Sequence, residues 1–103
     1  MARSVVWSSR ARSDSRLAVE YLRKDSPAAA RSFASALVAA ARSLSELSER
    51  GRIVPELDDP QVRELLLARY RLVYEVLPDR VAVLRVIHAS RDFLAAWRRS
   101  RHT

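Results

Sequence analysis

The stretch that decides the fold is YRLVYEVLPDRVAVLRVIHASRD, residues 70–92. Residues 70–77 and 81–88 are rich in β-branched and aromatic side chains, which favour strands. The turn at 78–80 contains proline and aspartate, and a connection this short makes the two strands pair antiparallel. A β-hairpin is therefore predicted, with the start of a helix after it.

Several basic side chains fall within this β-hairpin and the turn after it: Arg71, Arg85, His88 and Arg91. Strict alternation gives one face of the second strand four odd-numbered residues: Val81, Val83, Arg85 and Ile87. We expect Arg71 and Arg85 to emerge on a solvated face of the sheet, while helices cover the opposite face. An apolar β-hairpin with so many cations predicts a role beyond packing.

A short strand and an amphipathic helix are predicted at the start of the chain. Val5–Trp7 is a β-prone run, and the helix after it is expected to be capped by Ser13 or Asp14 and to end near Arg23.

The second predicted helix has the clearest signals. Ser26 can cap it, and Pro27 suits its first turn because proline lacks only a donor that has no partner there. Apolar residues recur at spacings of three and four, so the helix is expected to run to about Glu49 or Arg50. Gly51, the single glycine, is expected to end it in a left-handed conformation. The two helices form an antiparallel helical hairpin.

The remaining elements complete an α+β fold. Residues 52–60 contain two prolines and three acids and are predicted to be irregular, with a strand after them from Val62 to Leu67. The closing helix carries Phe93, Leu94 and Trp97 on one stripe. The predicted order is β-α-α-β-β-β-α, one domain over residues 1–103. The helical hairpin packs on an antiparallel sheet, and the first strand lies at its edge.

Composition excludes several classes of site. The chain has 103 residues, no cysteine and one glycine, so disulfides, thiolate metal sites and glycine-rich nucleotide loops are excluded. We expect no metal and no cofactor. The longest apolar run near the N-terminus is too short for a signal segment or a membrane span, so a cytoplasmic protein without membrane contact is expected.

The net charge of +7 lies mainly at the two ends of the chain. Residues 1–24 hold six cations and two acids, 25–60 hold four and six, and 61–103 hold nine and four. Of the 19 cations only Lys24 is lysine, and arginine suits bidentate contact with phosphate or carboxylate. Nucleic acid, an acidic protein partner, or both are therefore expected.

Two chemical roles remain open for the basic residues. His88 is either a general base or a strand-end histidine bonded to a backbone carbonyl. The arginines either stabilise a phosphorane-like transition state or form a face for an acidic partner. Glu64 and Glu75 are expected to pair across strands with one of three arginines: Arg63, Arg71 or Arg85.

YRLVYEV at 70–76 and VLRVIHASRDF at 83–93 resemble the RelE/ParE superfamily of type II toxins, as do GRIVPEL at 51–57 and the helical hairpin after Ser26-Pro27. The resemblance implies a cytoplasmic toxin encoded beside an antitoxin that neutralises it. That antitoxin is expected to be of the ribbon-helix-helix type, with an acidic, apolar C-terminal segment that wraps the toxin. Operator DNA would be bound only through the antitoxin complex.

The resemblance leaves the target open between two branches. RelE-like members cleave mRNA on the ribosome, which would make four residues candidates for catalysis: Arg71, Arg91, Arg63 and His88. An acid, Glu64, stands near the position of a strand lysine of those enzymes, and Trp97 near that of their catalytic tyrosine, so the nuclease set is incomplete. ParE-like members share the Tyr-Arg pair and the His88-x-x-Arg91-Asp92 ending and inhibit DNA gyrase without being enzymes.

The ParE-like branch is favoured, and four residues are then predicted to bind a partner: Arg71, Arg85, Arg91 and Trp97. A third alternative is an inactive homologue that acts as a DNA-binding co-repressor.

Overall fold

The computed structural model describes residues 2–101, with side chains through Arg98. The elements in chain order are β1 (Ser4–Trp7), α1 (Ser9–Arg23), α2 (Pro27–Ser43), β2 (Arg52–Ile53), β3 (Val62–Leu67), β4 (Tyr70–Val76), β5 (Arg80–His88) and α3 (Phe93–Arg101). Five strands form one sheet in the order β1-β5-β4-β3-β2, antiparallel except for the β1–β5 pair. The predicted α+β class and the edge position of β1 are confirmed. The two-residue strand β2 lies in the segment predicted to be irregular. Within residues 2–101, no helix has the length and apolar character needed to cross a membrane.

The first helix begins earlier than its sequence signals indicate. Ser8 is the N-cap, and its Oγ accepts a hydrogen bond from the Ala11 amide at 2.9 Å. The predicted cap at Ser13 or Asp14 is wrong, because the Asp14 carboxylate is directed to the sheet instead. The cap of α2 is confirmed, since the Ser26 Oγ accepts from the Ala29 amide at 3.1 Å and proline follows in the first turn.

The predicted end of α2 near residue 50 is wrong, because the helix stops at Ser43. Serines here bond backbone carbonyls, the Ser43 hydroxyl to Ala40 O at 2.6 Å and the Ser45 hydroxyl to Arg3 O at 2.7 Å. Such bonds offer the chain an alternative to the helical ladder.

Gly51 does not adopt a left-handed conformation. It is needed because a Cβ there would lie 2.5 Å from the Tyr74 Oη and 2.6 Å from the Glu64 carbonyl oxygen. Within residues 2–101, the position with a left-handed φ, 52°, is Ala68, in the turn between β3 and β4.

The sheet is covered on both faces. The helical hairpin (α1 and α2) packs on what we call the helical-hairpin face, whose core is apolar: Phe33, Leu37, Leu44, Leu72, Tyr74, Val81, Val83 and Val86. The opposite α3 face has a second, smaller core: Val54, Val62, Val73, Ile87, Phe93 and Ala96. Arg71 and Arg85 lie on this second face with 8% and 2% of their surface exposed. Their expected emergence on a solvated face is therefore wrong.

A β-bulge at Leu84 decides which residues of β5 face each layer. Val73 lies opposite Arg85 while Tyr74 lies opposite Val83, so β5 has one residue more than β4 at this point. Val81 and Val83 consequently belong to the helical-hairpin face, and Arg85 belongs to the α3 face. The prediction that these residues share one face is wrong, since it assumed unbroken alternation.

Side chains from the start of α1 cover the edge of β5 where β1 no longer runs beside it. Pairing with β1 ends at Val83. The Ser8 hydroxyl then donates to the Leu84 carbonyl at 2.9 Å, and the Asp14 Oδ2 accepts from the Val86 amide at 2.9 Å. These contacts satisfy backbone groups that an open sheet edge leaves unpaired.

Candidate functional site

Arg71 is the centre of a buried ion network on the α3 face. Its Nε donates to the Glu64 Oε1 at 2.5 Å, while Nη1 and Nη2 donate to the two carboxylate oxygens of Glu56 at 2.9 and 2.6 Å. The guanidinium carbon lies 4.2 Å from the centroid of the Phe93 ring. Its donors are thus directed to two carboxylates, and one flat face packs on an aromatic ring.

The two carboxylates differ in their surroundings. The Glu64 side chain, on β3, is 3% exposed, whereas the Glu56 side chain, in a turn between β2 and β3, is 34% exposed. The hydrogen bond from Arg71 lowers the pKa of Glu56, and the same contact raises the pKa of Arg71. Arg52 completes the network with a 2.7 Å contact from its Nε to the Glu64 Oε2.

The expected cross-strand pair of Glu64 with Arg71 is confirmed. The contribution of Glu56 had no signal in the sequence, because it lies 15 positions before Arg71 in an irregular acidic segment. Only the folding of that segment over β4 brings the two side chains together.

Arg85 ties three elements together. Its Nε donates to the Asp14 Oδ2 at 2.7 Å, its Nη2 to the Asp14 Oδ1 at 3.2 Å, and its Nη1 to the Ala96 carbonyl at 2.8 Å. The contacts join β5 to α1 and to α3. Because the guanidinium is buried, Arg85 positions α3 and does not present its charge to a ligand.

His88, Tyr70 and Arg91 meet at one end of the sheet. They line a groove of about 200 Å³ whose floor includes Val86. The Tyr70 and His88 rings make an edge contact with centroids 5.0 Å apart, and burial raises the pKa of Tyr70. The His88 Nδ1 lies 2.7 Å from the Ser90 Oγ and accepts from the Ser90 amide at 3.1 Å. The ring therefore bonds an amide and a hydroxyl, not the backbone carbonyl considered above.

The other predicted site residues are dispersed. The Arg63 Nη1 donates to the Gly51 carbonyl at 2.7 Å and so holds the segment before β2. Trp97 stacks on Phe93 with centroids 5.7 Å apart and lines a separate groove of about 520 Å³. Phe93 links Trp97 to Arg71, while Arg91 is exposed beyond the end of β5. The candidates thus do not form a single active site. Arg71 and Arg85 lie in two separate sets of buried contacts, and His88 and Arg91 share an accessible groove.

No group of three His, Cys, Asp or Glu side chains able to hold a metal ion is found in the part of the chain that the structure describes. In that same part, every buried side-chain nitrogen and oxygen has a hydrogen-bond partner. The buried charges are thus matched internally.

Comparisons with known proteins are consistent with this architecture. Residues 5–93 match the family model described as the ParE toxin of type II toxin-antitoxin system, parDE. The chain is 38% identical over 88 residues to Toxin RelE2 of Caulobacter vibrioides, an alignment that covers 84% of this chain and 96% of that protein.

A solved structure titled "Chromosomal ParDE TA system from P. aeruginosa" shares the fold with a TM-score of 0.70 at 21% sequence identity, over 86% of this chain and 98% of that one.

Proposed function

This chain belongs to the ParE toxin family of type II toxin-antitoxin systems, and we propose that it acts by binding, as an inhibitor of DNA gyrase. Membership makes it a toxin with a cognate antitoxin. The ParE-like resemblance supports DNA gyrase as the target. On this proposal the protein acts in the cytoplasm, and residues 1–103 form one toxin domain.

The observation that carries the proposal is the state of Arg71. A RelE-like ribonuclease would need this guanidinium at the scissile phosphate, yet here two carboxylates bind it and Phe93 packs on it. Arg63 is bonded to the Gly51 carbonyl, and Trp97 has no group that can transfer a proton in acid–base catalysis. An inhibitor that works by binding needs none of these groups to be free.

The residues proposed to contact the partner are accessible, whereas the ion network around Arg71 is buried. Arg91 is exposed and Trp97 is partly exposed, and we assign both to direct contact. Arg71 and Arg85 hold α3, the helix that carries Trp97, through contacts with Phe93 and Ala96. The antitoxin is proposed to be of the ribbon-helix-helix type with an acidic, apolar C-terminal segment, and operator DNA to be bound only by the complex.

A supercoiling assay tests the proposal. Purified toxin added to gyrase and relaxed plasmid should block supercoiling and accumulate cleaved DNA, and co-purified antitoxin should restore activity. Arg91→Ala should raise the toxin concentration for half inhibition by about fivefold or more. Arg80→Ala is the matched control, because it removes the same charge from an exposed side chain at the β4–β5 turn. No inhibition at a large molar excess of wild-type toxin would overturn the gyrase assignment.

A second candidate function is ribosome-dependent cleavage of mRNA. The groove with Tyr70, His88 and Arg91 favours it, since two groups able to transfer protons lie there beside an exposed cation. Translating ribosomes with labelled mRNA test this alternative on the same toxin preparation. Cleavage that is lost in both His88→Ala and Arg91→Ala, with gyrase unaffected, would favour the nuclease.

A further inference from the structure

The groove of about 520 Å³ beside Trp97 is separate from the ion network around Arg71, because neither Arg71 nor its two carboxylate partners line it. Its walls come from the start of α1, the segment between β2 and β3, the strands β3 to β5, and α3. Leu57, Leu84 and Trp97, each partly exposed, form its apolar part. A groove of this volume with apolar walls can bury side chains of a ligand.

Trp97 presents one face of its ring to this groove. The other face is stacked on Phe93, with the ring centroids 5.7 Å apart and the ring planes inclined by 15°. Phe93 is buried and does not line the groove. A tryptophan ring that packs on protein on one side and is open on the other can bind a cation through its ring quadrupole.

The charged side chains around the groove are mainly acidic. Asp58, Asp59 and Glu75 line it, and all three are at least partly exposed. Two arginines line it as well, but Arg85 is buried in an ion pair of its own, so Arg10 is the accessible cation. The accessible lining therefore has a net charge of −2, in a chain whose net charge is +7.

Two of these carboxylates have no cation beside them. Within the residues that the structure describes, neither Asp58 nor Glu75 forms an ion pair, so the expected cross-strand pair of Glu75 with an arginine is not found. Asp59 differs, since its Oδ1 accepts from the Gln61 amide at 2.9 Å. Asp58 and Glu75 can therefore each accept hydrogen bonds from a cationic side chain of a ligand.

We propose that this groove binds a basic, apolar segment of the target protein, in which one arginine or lysine lies against Trp97 and pairs with Asp58 or Glu75. Apolar side chains of the same segment pack on Leu57 and Leu84. The proposal rests on the proposed function, because it names the chemistry that Trp97 contacts in the inhibited protein. The toxin then has two contact surfaces of opposite charge, one at Arg91 and one at this groove.

The lining selects a basic peptide over other ligands. A phosphate backbone or an acidic peptide would bring negative charge to a lining that is already acidic, and contacts between like charges are unfavourable. A small cation could pair with the carboxylates but would leave the apolar walls in water. A basic, apolar peptide covers both parts of the groove.

The test compares two double variants that remove the same two charges. Asp58→Asn with Glu75→Gln changes the groove, whereas Asp79→Asn with Glu46→Gln changes exposed residues that do not line it. The probe is a rhodamine-labelled peptide of alternating leucine and arginine, measured by fluorescence anisotropy at about 0.15 M salt, which screens long-range repulsion. We expect the groove variant to bind this peptide about fivefold or more weakly than the control variant. Circular dichroism checks that both variants are folded.

Trp97→Leu tests the aromatic contact by itself. It keeps an apolar side chain but removes the ring face, so the affinity for the arginine peptide should fall about twofold to fivefold. The loss should be smaller for a peptide that carries citrulline, a neutral analogue, in place of arginine. Equal losses for the two peptides would contradict the role of the cation.

The indole Nε1–H resonances of the wild-type protein give a measurement that depends on no variant. The resonance of Trp97 should shift on saturation with the arginine peptide, whereas that of Trp7, which packs against the helical-hairpin core, should not.

Three further outcomes would overturn the proposal: equal affinity of the two double variants, an unchanged Trp97 resonance, or displacement of the peptide by equimolar spermine, which would assign the groove to a polyamine. Since none of these experiments contains gyrase, failure at the groove is distinguishable from failure of the proposed target.

Discussion

The two faces of the sheet solve the same packing problem by different means. On the helical-hairpin face, Leu72, Val81 and Val83 are completely buried among apolar side chains of α1 and α2. On the α3 face the core is smaller, and two buried arginines occupy positions that apolar residues take on the other side. Apolar contact is non-directional, whereas each arginine contact needs a particular partner at a particular angle.

The two faces therefore contribute in different ways: the helical-hairpin face mainly stabilises the fold, and the α3 face mainly determines where particular segments lie. Burial of apolar surface on the helical-hairpin face supplies most of the free energy that holds the layers together. The ion networks on the α3 face add less net stability, because desolvation of the charges offsets their attraction, but they are costly to break. They fix where α3 and the turn with Glu56 lie. Five substitutions can break or sharpen this contrast.

The largest effect is expected for Arg85→Ala on the α3 face. It leaves the Asp14 carboxylate, whose side chain is only 12% exposed, without its cation and removes a donor to the Ala96 carbonyl. We expect the free energy of unfolding to fall by about 3–5 kcal/mol, measured by urea denaturation. Arg80→Ala, which breaks an exposed pair with Asp79, should cost about 0–1 kcal/mol. Similar losses in the two variants would remove the distinction between buried and exposed arginines.

A smaller loss is expected for Gly51→Ala, at the edge of the helical-hairpin core. The added methyl would collide with the Tyr74 Oη and with the backbone oxygen of Glu64, and the latter cannot move without shifting β3. We expect a loss of about 1–3 kcal/mol in the free energy of unfolding, measured by urea denaturation.

Ala68→Gly should act in the opposite direction to Gly51→Ala. It relieves a left-handed alanine and should add up to about 1 kcal/mol. If Ala68→Gly were destabilising, the backbone of that turn would not be under strain.

Tyr74→Phe asks how much one polar group matters within an otherwise apolar layer. The buried phenol donates to the Ser48 carbonyl at 2.8 Å and accepts from the Gly51 amide at 2.9 Å. Burial raises its pKa, so it stays a donor at neutral pH. We expect Tyr74→Phe to cost about 1–2 kcal/mol by chemical denaturation and to leave the helical signal unchanged. Tyr21→Phe is the matched control on an exposed ring, with an expected change within about 0.5 kcal/mol.

The smallest effect concerns pH and Glu56. The pKa of Glu56 is lowered in the folded protein, mainly by the hydrogen bond from Arg71. Such a group stabilises the fold above its unfolded pKa, and the contribution is lost as the pH falls through its folded pKa. Glu56→Gln should therefore lower the Tm at pH 7 by about 4 °C or less, because Glu56 is partly exposed.

The Tm difference between wild type and Glu56→Gln should begin to shrink as the pH falls below about 4.3, the ordinary pKa of glutamate. It should disappear once the pH has fallen through the lowered pKa of folded Glu56. Thermal melts between pH 7 and pH 3 check both points, with Glu46→Gln as the charge control. A Tm difference that grows on acidification would contradict the ion pair.

The sequence predicts the structure correctly where interactions between neighbouring residues determine it. The Ser26-Pro27 start of α2 and the antiparallel turn at 78–80 follow from capping and turn chemistry and are confirmed. The Glu64–Arg71 pair was accessible because neighbouring strands bring such residues together.

The errors arise where distant segments meet. Asp14 has a good capping side chain, but a contact with Arg85, 71 positions away, takes its carboxylate. The sequence pattern favours a left-handed turn at Gly51, whereas the real constraint is a tyrosine 23 positions away. Strand alternation predicts Arg71 in solvent because it can place neither α3 nor the turn with Glu56 on the sheet. The composition of the candidate site was thus visible in the sequence, but its burial was not.

The bulge at Leu84 gives β5 a tolerance that its neighbours lack. Deletion of Leu84 would bring Arg85 directly after Val83, and unbroken alternation would then place these two side chains on opposite faces, where they already lie. Loss of that codon would thus leave the valines in the apolar layer and the cation in the ionic one. Loss of Ala82 would instead turn Val81 away from the helical hairpin. Descendants of this sequence can therefore lose position 84 more readily than a paired position of the same strand.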